Sequence, residues 1–309
     1  MYQFRPITED NLNDIVFLFR TVVRKTVSSR YLQRKYSSPW SEGRFWGFMA
    51  FDEATGKPVA MAMALPCCIV SEGRRVPAAQ TIDTFTAPSH TGRGLMTSLL
   101  RLTIEDLEAH GIRLFFGFCN QNSLYVCLQK LGWTQLLRME YYLLPGAAVP
   151  LEAILRRCGL FFLWRFFAEK ILDRYTLTSE FLPNALLDEG YSGMLHDAAY
   201  FQYKRFTFNR LVNISGTRVW IKAEGGLLVG DVQFGPETDF DALLNGLRKL
   251  ARRLGLRRVV FQTSPQTRLQ AELSRRLAPH TSWIVVGKTS DPALDLTTLR
   301  FSYADIDTF

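Results

Sequence analysis

Apolar residues recur along this chain with two different periods, and the points where the period changes cut it into short elements. "YQFRPIT" alternates as a strand does. Thr8, Glu9 and Asp10 then supply N-cap and first-turn chemistry for a helix whose Leu12, Ile15, Phe19 and Val22/Val23 share one face. "FWGFMAFD" and "PVAMAMALPCCIV" read as strands joined by the turn "EATGK". "GRR" (Gly73 to Arg75) leads into "AAQTIDTFTAP", another strand, ended by Pro88. A helix is predicted from about Gly94 to His110, with Leu95, Leu99, Leu102 and Leu107 near helical period and Gly111 placed as its C′ glycine. "IRLFFGFCN" predicts a buried strand, "SLYVCLQKL" a helix and "GWTQLLRMEYYLLP" a final strand pair. The order β-α-β-β-β-α-β-α-β describes a mixed α/β domain over residues 1–145.

A bridge follows over residues 146–192, with the aromatic helix "LFFLWRFFAEKIL" expected to pack between domains. Beyond it the chain repeats itself. "YLQRKY" (Tyr31 to Tyr36) is echoed by "YFQYKRF" (Tyr200 to Phe206), and "GIRLFFGFCNQNSLYVCLQKL" (Gly111 to Leu131) by "GLRRVVFQTSPQTRLQAELSRRL" (Gly255 to Leu277). Two matches in the same order predict a second, duplicated domain over 193–309.

Composition is globular, with 47% hydrophobic and 21% charged residues, and a net charge of +8 favours anionic ligands. Five cysteines, an odd number without CxxC spacing, argue against a disulfide framework and a zinc site and predict a reducing, cytoplasmic setting. The four histidines are scattered, so no metal is expected. The greasiest stretch, "CGLFFLWRFF", is interrupted by Arg165 and falls far short of the roughly 20 residues that span a bilayer. "RKLARRLGLRR" (Arg248 to Arg258) reads as an amphipathic helix with a solvated basic face rather than a nucleic-acid surface. A membrane-surface role for the aromatic helix, suggested by Arg156, Arg157, Arg165 and Lys170, ranks below packing.

The chemistry concentrates in "TAPSHTGRGLMTSLL" (Thr86 to Leu100). A helix N-terminus leaves backbone N–H groups unpaired and carries partial positive charge, so it receives anions. Gly92 and Gly94 remove side chains that would hold a phosphate off the backbone, Arg93 adds charge, and the Thr97 hydroxyl lies one turn in. No GKS/T follows, and GxGxxG is incomplete, so this is neither a P-loop nor a dinucleotide fingerprint. The second half carries "DVQFGPETDFDALL" (Asp231 to Leu244) at the equivalent place, where Glu237, Asp239 and Asp241 would repel a phosphate.

"FRPITEDNLNDI", "TFTAPSHTGRGLMTSLL" and "NQNSLYVCLQKLGW" resemble, in order and spacing, the GNAT acyltransferases, and within them a branch with two tandem GNAT-like domains related to polysaccharide, amino-sugar and aminoglycoside acetyltransferases. The resemblance implies an α/β, tandem GNAT-like acyl-CoA N-acyltransferase fold, with mixed, mostly antiparallel sheets flanked by helices. It implies acetyl-CoA as co-substrate, no metal, and N-acetylation of a small-molecule amine, with amino sugars and sugar nucleotides as the candidate acceptors. The family pattern Q/R-x-x-G-x-G/A falls on Thr91 to Met96, with Thr91 and Met96 departing from it. The resemblance gives Gly92, Arg93, Gly94, Leu95, Met96 and Thr97 to the pyrophosphate, Thr84, Phe85 and Thr86 to the pantetheine arm, and Asn120 to the same arm. Leu128 stands where most members have the tyrosine that protonates the leaving thiolate. Tyr125, one turn earlier, is the substitute. On the acceptor side Gln80, Ile82 and Thr84 offer no effective base, and strand alternation turns Asp83 away. Related aminoglycoside enzymes imply another candidate, the carboxylate of Phe309. Three other classes remain open: a non-catalytic CoA-binding scaffold, an aminoacyl transferase using charged tRNA, and a membrane-surface acyltransferase that would use the aromatic helix.

Overall fold

The computed structural model describes residues 1–179 and 181–309, without the Asn122 side chain. In the first half of the chain the elements are β1 (Tyr2–Pro6), α1 (Leu12–Leu18), α2 (Ser29–Tyr36), β2 (Trp46–Asp52), β3 (Pro58–Ser71), β4 (Arg74–Thr86), α3 (Leu95–Ala109), β5 (Leu114–Cys119) and α4 (Gln121–Tyr125). There follow β6 (Thr134–Pro145), α5 (Leu151–Arg157), α6 (Phe161–Leu172), α7 (Ala185–Asp188), β7 (Gly193–Met194), α8 (Ala198–Lys204), β8 (Asn209–Ile214), β9 (Thr217–Ala223), β10 (Leu227–Gln233), α9 (Phe240–Arg253), β11 (Arg258–Thr263), α10 (Arg268–Ser274) and β12 (His280–Thr289). The segment expected to form a strand pair is the single long strand β6.

Two compact units result, Met1–Leu137 with Trp283–Leu299, and Arg138–Ser282 with Arg300–Phe309. The sequence boundaries at 145 and 193 differ from these, because the closing strand of each half does not stay with its own half. The first unit's sheet runs β1-β2-β3-β4-β5 and is completed by β12, whose Ile284–Thr289 pair antiparallel with Cys119–Leu114. The second runs β6-β11-β10-β9-β8, and its β6 pairs through Glu140–Pro145 with Thr263–Arg258. In each sheet one internal pair is parallel, β4 with β5 and β10 with β11.

The "VAMAMAL" run of β3 shows why the first unit layers as it does. Met61, Met63 and Leu65 join Ile15, Leu18, Leu32 and Tyr36 of α1 and α2 in one core. The intervening Ala60 and Ala62 face Leu95, Leu99 and Leu100 of α3, and their small side chains admit that helix. In the second unit, α6 lays Trp164, Ala168 and Leu172, spaced by four, onto a core with α9, and the Trp164 indole donates to the Leu254 carbonyl at 2.7 Å. The aromatic helix is thus a layer of the second unit.

Candidate active site

The loop before α3 is open in the way anion binding requires. Gly92 and Gly94 both hold φ of +75°, where an L side chain is strained, and a Cβ on either would meet nothing within 4 Å. Gly94 is the N-cap and lends no side chain to the helix. Helix geometry leaves the first-turn amides of Leu95, Met96 and Thr97 without intrahelical acceptors, and the Ser98 amide is the first to be paired, on the Gly94 carbonyl at 3.0 Å. Beside them, Arg93 donates to the Tyr2 hydroxyl at 2.7 Å and Tyr2 contacts His90 Nδ1 at 2.8 Å, so the guanidinium is tethered at the loop. Thr91 spends its hydroxyl on the Pro88 carbonyl.

Next to this loop, β4 has an edge that is unpaired among the described residues. Its pairing with β5 covers only Ala78–Thr81 against Leu114–Gly117, while β4 continues to Thr86. Thr84, Phe85 and Thr86 therefore keep β3 on one side and have no β5 partner on the other. Within this free stretch the β3 register shifts, so that Asp83 and Thr84 together oppose Ala62. This is a β-bulge, and Asp83 sits in it at φ +38°. The bulge overturns the expectation from alternation: Asp83 Oδ2 accepts from Lys35 Nζ at 2.7 Å and from the Tyr36 hydroxyl at 2.8 Å. Its carboxylate thus lies toward α2. Among the described residues both of these bonds fall on Oδ2. The Lys35 side chain is buried, and the ion pair it forms is accordingly little screened.

The other residues singled out in the sequence are spread around this centre. Asn120, at the end of β5, accepts from the Ser123 amide at 3.0 Å and so caps α4. Tyr125 ends α4 and is 60% exposed. From Val126 the helix widens into a π-turn to Lys130, and Leu128 packs beside the core of Phe115, Cys127 and Trp133. Phe309 is sealed inside the second unit: its ring is fully buried, meets Trp220 edge-on and lies against Gly230, and its oxygen accepts from the Thr207 hydroxyl at 3.2 Å.

The second unit has the same bulged strand but a filled gap. β10 pairs with β11 only through Leu227–Val229, and its register with β9 shifts at Gly230. Segment 301–309 occupies this region. Ser264 donates to the Phe301 carbonyl, Tyr200 to Ala304, Lys204 Nζ to Ile306 and Lys222 Nζ to Thr308. Lys204 is the counterpart of Lys35 in the echoed helix, and both are buried. The α9 N-terminus is capped by its own Asp239, which accepts from the Ala242 amide at 3.0 Å. Sequence reasoning found the acids of that loop but missed the bulges and the filling segment, since neither leaves a periodic signal.

Inside the filled gap, His196 Nε2 is 2.7 Å from Asp305 and Nδ1 is 3.5 Å from Asp231. Burial alone would depress the imidazole, but the two carboxylates outweigh it and hold its pKa up at about 9. A folded pKa above the unfolded one contributes stability that is complete below about pH 6.5 and disappears as pH rises through about 9. The wild-type melting temperature of the second unit is expected to fall across that window, and His196→Gln to flatten the fall. A wild-type profile level between pH 6.5 and 9 contradicts this.

Comparison with known proteins accords with this geometry. Two bulged sheets, each splayed beside a helix N-terminus, define an acyl-CoA N-acyltransferase fold. A structure of a GCN5-related N-acetyltransferase from Kribbella flavida superposes with a TM-score of 0.58 at 17% identity, covering 94% of this chain and 72% of that one. Saccharomyces cerevisiae N-myristoyltransferase, solved with myristoyl-CoA bound, gives 0.56 at 10% identity, covering 93% and 82%. An uncharacterised N-acetyltransferase of Methanocaldococcus jannaschii is 28% identical over 133 residues, 40% of this chain and 57% of the relative. The chain thus spans little more than half of that relative's length. The family profile described as Acetyltransferase (GNAT) domain matches residues 3–136. Over those residues the chain is similar to a GNAT acetyltransferase domain.

Among the described residues no cluster of His, Cys, Asp and Glu is arranged to hold a metal ion, and no helix is long and apolar enough to cross a membrane.

Proposed function

We propose that this chain transfers an acetyl group from acetyl-CoA to the nitrogen of a small-molecule amine, with an amino sugar or sugar nucleotide as the acceptor class. The observation that carries the reading is the pairing of an uncapped helix start, at Gly94, with the unpaired β4 edge ending in the Asp83 bulge. The fit is chemical as well as spatial: first-turn amides receive the pyrophosphate, and the free edge at Thr84–Thr86 receives an extended pantetheine arm as an added strand.

The acceptor nitrogen attacks the thioester carbon, the C–S bond breaks, nitrogen loses a proton and sulfur gains one. Asp83 Oδ1 orients the amine from the α2 side and takes its proton. A nitrogen that has begun to bond to the carbonyl sheds that proton far more readily than a free ammonium does, so a carboxylate suffices. Lys35 and Tyr36 fix this carboxylate through Oδ2. Tyr125 supplies a proton to the leaving thiolate, whose modest basicity (thiol pKa about 8.5) makes few demands on the donor.

Free CoA release across a panel of amines and amino sugars tests the reading. On the best acceptor, Asp83→Asn is expected to lower kcat about 100-fold or more while acetyl-CoA affinity, which also reports an intact fold, stays within about twofold. Turnover of Asp83→Asn equal to wild type removes Asp83 from the mechanism. Acetyl-CoA binding with no turnover on any amine favours a scaffold instead.

A further inference from the structure

Among the described residues twelve large apolar side chains stand exposed, and eight of them fall within residues 149–167, including Ile154, Phe162, Leu163, Phe166 and Phe167. They belong to the hairpin of α5 and α6. The inner face of α6 is used for the core by Trp164, Ala168 and Leu172. Its outer face carries two i, i+4 rows, Phe162 with Phe166 and Leu163 with Phe167, and Phe162 and Phe166 are 64% and 61% exposed. Scattered exposed apolar residues need no explanation, but a contiguous face of this kind does.

The charges around that face choose its occupant. Arg156, Arg157, Arg165 and Lys170 rise from the hairpin itself. Arg252 reaches the Gly146 carbonyl, Arg253 the Tyr175 hydroxyl, and Arg165 and Arg210 both stack on Phe208. Among the described residues, the acids beside these cations are Glu152, Glu169, Asp173 and Glu224. Glu152 is buried and spent on Arg156 at 2.7 Å, and Glu169 pairs with Arg165. A second copy of this chain would bring the same cationic rim against itself, so self-association is disfavoured. A short aromatic helix, lying flat with cations around it, matches the interface of an anionic bilayer, where rings enter the headgroup boundary and cations meet lipid phosphates.

We propose that the α5–α6 hairpin docks this protein onto an anionic membrane surface, with Phe162, Leu163, Phe166 and Phe167 inserted at the headgroup level and Arg157 and Lys170 on lipid headgroups. The helix lies in the interface and does not span, since it has 12 residues. The inference is independent of the acetyl-transfer reading.

The test is co-sedimentation of the full chain with vesicles of phosphatidylcholine alone and of phosphatidylcholine mixed equally with phosphatidylglycerol. Wild type is expected to sediment with the mixed vesicles and to be released by high salt. Phe162→Ser/Phe166→Ser should lower the partition coefficient at least about tenfold, and Arg157→Glu/Lys170→Glu should lower it on mixed vesicles. These side chains are exposed, so unchanged melting temperatures are expected to show that both variants fold. Absence of wild-type binding to mixed vesicles overturns the proposal, as does binding that survives the double serine variant. A dimer in solution that the double serine variant dissociates assigns the face to a second copy and equally overturns it.

Discussion

Gly94→Glu is expected to weaken acetyl-CoA binding by at least about 100-fold, roughly 2.8 kcal/mol, in calorimetric titration. Two effects combine. The φ of +75° costs a non-glycine residue about 1–2 kcal/mol, which moves the loop away from its open form. The larger effect is a carboxylate placed where the pyrophosphate must meet the amides of Leu95 to Thr97. The same charge is favourable to α3 itself, being at the positive end of its dipole, so the fold is expected to survive. Gly94→Ala separates the two: it keeps the amide, adds no charge and finds open space around its Cβ, so only the conformational part of the loss should appear. Equal affinity for Gly94→Glu and wild type would mean that the phosphates lie elsewhere.

Phe309→Ala is expected to destabilise the second unit by about 3–5 kcal/mol in urea unfolding, the usual result of emptying a fully buried aromatic site. Its ring fills the space over Gly230, where an added Cβ would collide with the ring's Cζ. Gly230→Ala should therefore also destabilise, by about 1–3 kcal/mol through overpacking. Once the ring is gone the alanine has room, so its cost in the Phe309→Ala background should largely vanish. Additive losses in this cycle would refute direct packing of the two residues. A loss below about 0.5 kcal/mol for Phe309→Ala would show that the filling segment contributes nothing.

Much of the first unit was legible in the sequence. "PVAMAMALPCCIV" reads as a strand and the leucines of α3 as a helix, and both form; that β3 is covered on both faces, one of them by α3, came only with the fold. The two-glycine loop, and the acids that replace it in the second half, mark which unit keeps an open helix start. Pairing partners were not legible. Nothing local in residues 280–289 or 134–145 says that these strands complete sheets distant in sequence, because a strand's side-chain period is the same whatever it pairs with. The bulge at Asp83 was invisible for a related reason. Alternation assumes an unbroken pleat, and one inserted residue reverses every orientation after it. The aromatic helix was expected to pack between the domains, but its sequence is apolar nearly all round, so neither the core it joins nor the half that faces it could be read from the sequence; Trp164, Ala168 and Leu172 lie in the core of the second unit.

The claim on which the proposed function rests is that acetyl-CoA enters the first unit alone, between the loop before α3 and the free edge of β4. Backbone amide shifts followed during titration with acetyl-CoA test it residue by residue. The expected result is a set of saturable changes at Gly92 to Thr97 and Thr84 to Thr86, with Asp231 to Asp241 unmoved. Changes centred on the second unit's helix start, or none at Gly92 to Thr97 at saturating ligand, would contradict it.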